Sequence, residues 1–163
     1  MKPLIPLFLF LTSSVYAQTT IKAWATRVYD GDTLTIVQVE DNQCKGIYKI
    51  RLQGIDAPEL KQSYGKAARR YAMRFAFGRL LTVTLVEKEK YGRWIGKVCH
   101  GSSPYMCLNY RLVREGYAWH YAAFSDDARL ARAEAKARAE KIRLWRQEDP
   151  TAPWIYRKQQ SEK

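Results

Sequence analysis

The chain has 163 residues and carries 28 Lys and Arg against 16 Asp and Glu, a formal charge of +12. So large a positive field on one small chain predicts attraction to polyanions, nucleic acid most simply, with strong salt dependence. The length excludes a large multidomain assembly, and past residue 17 no run is apolar enough to span a bilayer.

The first 17 residues read as a secretory signal. Lys2 supplies the positive start, 4–11 the apolar run, and Val15-Tyr16-Ala17 the small-residue cleavage site. Residues 18–163 are then expected to form a single domain, secreted or periplasmic and monomeric, with no membrane insertion once the signal is removed. Strand signals follow at 21–28 and 34–39, joined by the turn Asp30-Gly31-Asp32. Asp41-Asn42-Gln43 marks a second turn, 47–52 alternates as a third strand, and Pro58 ends that segment.

From 63 to 77 the period becomes helical, with Ala67, Ala68, Tyr71 and Phe75 at three- and four-residue spacing and Gly78 in capping position. Residues 80–87 and 93–99 are strand-like, and 106–108 returns beside the second of them. Asn109 is expected to cap a short helix ending at Gly116. A long helix is expected over 126–142, with Ser125 as N-cap and Asp126 and Asp127 at its positive end. Its inward stripe is Leu130, Ala133, Ala137 and Ile142. Arg129, Arg132, Lys136, Arg138 and Lys141 make most of the remainder a solvated basic face. Trp145, Pro153, Trp154 and Tyr156 form a tail that packs back on the body, with 159–163 frayed. The pattern is α+β, five or so strands with three helices.

Three cysteines are present, Cys44, Cys99 and Cys107. Cys99 and Cys107 flank a short connection, and their disulfide is the first expectation. Pairing of Cys44 with either is the alternative, since sequence does not decide connectivity. No Cys-x-x-Cys occurs, and His100 and His120 lack a ligand pattern, which argues against zinc.

The chemistry concentrates in three segments: Asp30 to Thr33, Arg51 to Glu59, and Lys90 to Trp94. Asp32 and Asp56 come from separate strand ends and can converge on one cation. Two carboxylates, a main-chain carbonyl and water suit Ca²⁺, which takes six to eight oxygens in loose geometry. Arg51 and Arg93 offer planar forks to a phosphate and keep their charge at any working pH.

These three segments, in this order, resemble the staphylococcal (micrococcal) nuclease family over about residues 21–145. The resemblance implies a five-stranded Greek-key β-barrel of the OB type with three helices. It implies Asp32 and Asp56 as side-chain ligands of Ca²⁺ and the Ala57 carbonyl as the third protein ligand. Many members carry Thr at the position of Ala57, but a main-chain contact survives that change. Glu59 matches the glutamate that holds the attacking water, as base or as positioner. Arg51 matches the arginine on the phosphate throughout the reaction, and Arg93 the one that acts in the transition state. Lys90 and Tyr91 match positions that bind a neighbouring phosphate. Tyr121 is a candidate for a stacking tyrosine, although 117–124 does not align cleanly.

The implied reaction is hydrolysis of DNA and RNA to 3′-phosphate and 5′-hydroxyl ends. A silent OB-fold nucleic-acid-binding module is the rival reading, and the presence of Arg51, Asp56, Glu59 and Arg93 together argues against it. A membrane-active protein has little support, because the last helix offers mostly alanine in place of bulky apolar anchors.

Overall fold

Alternating burial turns the strands into a barrel. Ile21, Ala23 and Ala25 of β1 (Thr19–Val28) point inward, then Val28, because a bulge between Ala25 and Arg27 resets the phase. The computed structural model describes residues 18–162, and the expected signal segment 1–17 lies outside them. β2 (Thr33–Glu40) and β3 (Gln43–Leu52) form a hairpin across Asp41 and Asn42, both at positive φ. That two-residue turn matches strand twist and pairs Glu40 with Gln43 directly, so β3 begins four residues before the expected strand.

β5 (Leu81–Lys88) and β6 (Trp94–Cys99) form a second antiparallel pair. β3 joins β6 in parallel, and β5 closes on β1, giving a closed barrel in the order β1-β2-β3-β6-β5. The short β4 (Ile55–Asp56) pairs separately with β7 (Trp119–His120).

Among the described residues four α-helices accompany the barrel, one more than expected. α1 (Gly65–Ala76) buries Ala68, Ala72 and Ala76 at four-residue spacing, and these small side chains bring its backbone close to the barrel. Tyr71 and Phe75 flank that stripe half-buried. α2 (Leu108–Arg114) seals the core with Leu108, Leu112 and Val113.

Asn109 does not cap α2. It is buried, its Oδ1 accepts from the Val98 N–H at 3.2 Å, and its amide donates to the carbonyls of Gln53 (2.9 Å) and Gly96 (3.2 Å). It therefore brackets the end of the parallel pair, where main-chain groups would otherwise be left without partners.

α3 (Ala128–Ala139) is capped by Asp127, not Ser125. The Asp127 carboxylate accepts from the Arg129 N–H, and Ser125 serves only the Asp127 N–H. The helix stops at Ala139 because the chain turns through positive φ at Lys141 and Arg143.

The expected tail is α4 (Pro153–Ser161), with Pro153 in the first turn, where a missing N–H costs nothing. Residues 159–161 are thus helical. α4 docks through a second core cluster of Trp119, Ala137, Leu144, Trp145 and Ala152, against which Trp154 packs. Cys99 is joined to Cys107, and Cys44 is free and exposed. No helix among the described residues is long and apolar enough to cross a membrane.

Candidate active site

The site is built where β2 begins and β3 ends. Asp30 accepts from the N–H groups of Asp32 (3.0 Å) and Thr33 (2.7 Å), fixing a tight turn before β2. The Asp32 carbonyl then accepts from the Leu52 N–H at 2.8 Å, tying this turn to β3. Gly54, at φ +75°, turns the chain out of β3 and into β4, and Asp56 follows in strand pairing with Trp119.

Asp32 and Asp56 are both buried, Asp56 completely. Arg51 spans them: Nη1 lies 2.6 Å from Asp32 Oδ1 and Nη2 2.5 Å from Asp56 Oδ1. The Ala57 N–H donates to Asp32 Oδ2 at 2.7 Å, and the Thr33 hydroxyl to Oδ1 at 3.1 Å. Burial nevertheless pushes the Asp32 carboxyl up to about 7, against the pull of Arg51. Two carboxylates held this deeply need positive charge beside them.

The donor set fits a hard divalent cation. Two carboxylates within one guanidinium's span are close enough to share an ion that binds oxygen at 2.3–2.6 Å. Among the described residues no three His, Cys, Asp or Glu side chains gather closely enough to hold a metal ion alone. Main-chain oxygen and water must complete the coordination, as in loose oxygen-rich sites.

Glu59 stands on the loop between β4 and α1. Its N–H donates to Gln62 Oε1 at 2.8 Å and its carbonyl accepts from the Gln62 N–H, also at 2.8 Å. Gly65 packs directly beneath: a Cβ there would overlap the Glu59 carbonyl oxygen. Gly65→Ala is expected to cost about 1–3 kcal/mol by overpacking and to displace Glu59. Urea denaturation and the cleavage rate should both register it.

Arg93 immediately precedes β6, two residues from Ile95, the strand partner of Arg51. It is held by Glu89 through Nε at 2.5 Å and Nη2 at 3.1 Å. That hydrogen bond draws the Glu89 carboxyl below its ordinary value. Gly92, at φ +81°, makes the tight reversal before it. Lys90 lies over the Tyr91 ring at 5.0 Å, and Tyr91 is 85% exposed, its ring open to a solute.

Tyr121 follows β7 and donates its N–H to the Gly54 carbonyl, which brings it beside the Asp56 loop. One of its faces is taken: Trp154 stacks on it, centroids 5.1 Å apart and planes 7° from parallel.

One further residue reaches the site and was not foreseen. Arg157, on α4, donates to Asp56 Oδ2 at 2.7 Å, Asp56 Oδ1 at 3.2 Å and Glu59 Oε1 at 2.9 Å. Its bonds to Asp56 raise its pKa above the ordinary arginine value. The only local signal was Pro153 as a helix start.

Comparison with known proteins gives the family. Residues 49–147 match the family described as staphylococcal nuclease homologue. The chain belongs to the staphylococcal nuclease family. A relative from Escherichia coli O157:H7 named an uncharacterized endonuclease is 36% identical over 157 residues, 96% of this chain and 98% of that protein. A micrococcal nuclease of Shigella flexneri is 29% identical over 162 residues, covering 91% and 90%. A 38.1 kDa protein of Capnoides sempervirens is 38% identical over 112 residues, 68% of this chain but 32% of that protein. The chain thus spans about a third of the plant relative and nearly all of the two bacterial ones. Membership places it among the nucleases, and the barrel is the OB-type fold expected of them.

Proposed function

We propose that the chain is a calcium-dependent endonuclease that hydrolyses DNA and RNA to 3′-phosphate and 5′-hydroxyl ends. The observation that carries this reading is the meeting of Asp32, Asp56, Arg51 and Glu59 at one strand end. Ca²⁺ held by Asp32, Asp56 and the Ala57 carbonyl would supply positive charge against a phosphate oxygen.

Arg51 uses one N–H of each Nη on the two carboxylates, which leaves its remaining donors for the phosphate. Arg93, just before the neighbouring strand, adds a second guanidinium for the charge that develops as the bond breaks. Glu59 accepts the proton of the attacking water or holds that water in line. Lys90 takes an adjacent phosphate and Tyr91 offers an open stacking surface to a base, while Tyr121, packed against Trp154 and Phe124, is the second candidate. All of these contacts address phosphate, sugar-independent shape or a ring face, so no base sequence is read. The leader at 1–17 makes the enzyme secreted or periplasmic, acting as a monomer.

Plasmid DNA and RNA should both be cut by residues 18–163 with Ca²⁺ and spared with a chelator. A salt-sensitive gel shift without cleavage in Ca²⁺, Mg²⁺ or Mn²⁺ would instead indicate a silent binding module.

A further inference from the structure

We propose that Arg157 is a residue of the active site that holds the cation's place on Asp56 and restrains Glu59. Binding a divalent ion and releasing Glu59 are then one exchange. The inference rests on the assignment of Asp56 as a cation ligand.

Asp56 is fully buried and receives three N–H donors, two from Arg157 and one from Arg51. A carboxylate offers about four acceptor positions, so little remains for an ion while Arg157 stays. A guanidinium and a divalent cation also repel at contact distance in a site screened from water. With Arg51 already holding one position on Asp56, Arg157 and the ion cannot both sit there.

The two arginines differ in how readily they can leave. Arg51 is 18% exposed, rises from a central barrel strand, and grips Asp32 as well as Asp56. Arg157 is 41% exposed and stands on the last helix. Arg157 is the one that yields.

Its departure has a second effect, since the same guanidinium donates to Glu59 Oε1 at 2.9 Å. While that bond stands, Arg157 holds one oxygen of Glu59 and sets the direction in which the carboxylate faces. Trp154 lies three residues before Arg157, hence on the same face of α4, and stacks on Tyr121. One helix face therefore covers a cation ligand, the proposed base and a proposed stacking tyrosine. Gln62 ties the arrangement together, bonding the Glu59 N–H through Oε1 and the Thr151 carbonyl through Nε2 at 3.1 Å.

The test is calorimetric titration of CaCl₂ into wild type, Arg157→Gln and Trp154→Ala, with circular dichroism to establish that each is folded. If the latched form is about nine-tenths of the population, its removal tightens Ca²⁺ binding about tenfold. Arg157→Gln should show that gain, and Trp154→Ala a smaller one from loosening α4 without touching Asp56. In wild type, CaCl₂ should also speed amide hydrogen exchange over 153–161. Equal or weaker Ca²⁺ binding by folded Arg157→Gln overturns the latch while leaving the cation site intact. Unchanged exchange over 153–161 at saturating CaCl₂ overturns it without need of any variant. Binding by none of the three proteins overturns both the latch and the calcium assignment.

Discussion

Glu59→Gln lowers the cleavage rate by about 10²–10⁴-fold, the range for loss of a positioned acid–base group, and leaves nucleic-acid binding nearly unchanged. The substitution keeps the side chain's size and hydrogen-bonding reach. The loop itself is held by main-chain bonds of Glu59 to Gln62, which do not involve the carboxylate. What disappears is the anionic oxygen that can take a proton. On the proposed assignment binding is carried by Arg51, Arg93 and Lys90, and removing one negative charge beside them cannot weaken attraction to a polyanion. The expected signature is thus a fall in kcat with KM and gel-shift affinity retained. Cleavage at the wild-type rate would remove Glu59 from the mechanism. Loss of binding together with cleavage would make it a structural residue of the loop.

The legible part of this protein is the part written in short segments. Asp32, Arg51 and Asp56 sit at strand ends flanked by turn residues, so pattern and chemistry pointed to the same places. The barrel strands were visible because burial alternates along them. Cys99 and Cys107 lie on either side of a short connection, close enough in sequence for their pairing to be considered first.

Long-range roles were not legible. Asn109 looked like a cap because Asn is a common one, yet its bonds go to strand residues 11 to 56 positions away. Arg157 is one of 28 Lys and Arg, stands 98 positions from Glu59, and carries no local motif. The packing of α4 on the Trp119–Trp145 cluster and the stack of Trp154 on Tyr121 bring it to the site. Ser125 and Asp127 show a smaller version of the same limit. Both are good caps, and the choice between them turned on where the chain leaves the helical region, not on residue type.

Arg51→Ala and Arg93→Ala are expected to separate catalysis from stability. On the proposed mechanism both remove a guanidinium that faces developing charge, and each should cost about 10²–10³ in rate. Their structural burdens differ. Arg51 neutralises two buried carboxylates, and its loss leaves Asp32 with only the Ala57 N–H and the Thr33 hydroxyl. Breaking a buried pair in this way costs about 3 kcal/mol, at the low end because Arg157 still serves Asp56. At roughly 2–4 °C per kcal/mol, Tm should fall by roughly 6–12 °C. Arg93 pairs only with Glu89, both side chains about a third exposed and four residues apart. Such a pair is worth at most about 0.5 kcal/mol, so Tm should barely move. Thermal melts in chelator, read beside cleavage rates measured well below either melt, test the contrast. Equal loss of Tm in both variants would mean that the Asp32–Arg51–Asp56 arrangement does not carry the stability assigned to it. A rate loss in Arg51→Ala that is recovered on restoring the fold with a stabilising osmolyte would reduce Arg51 to a scaffold for the carboxylates. Persistence of that loss in the folded variant keeps Arg51 on the phosphate.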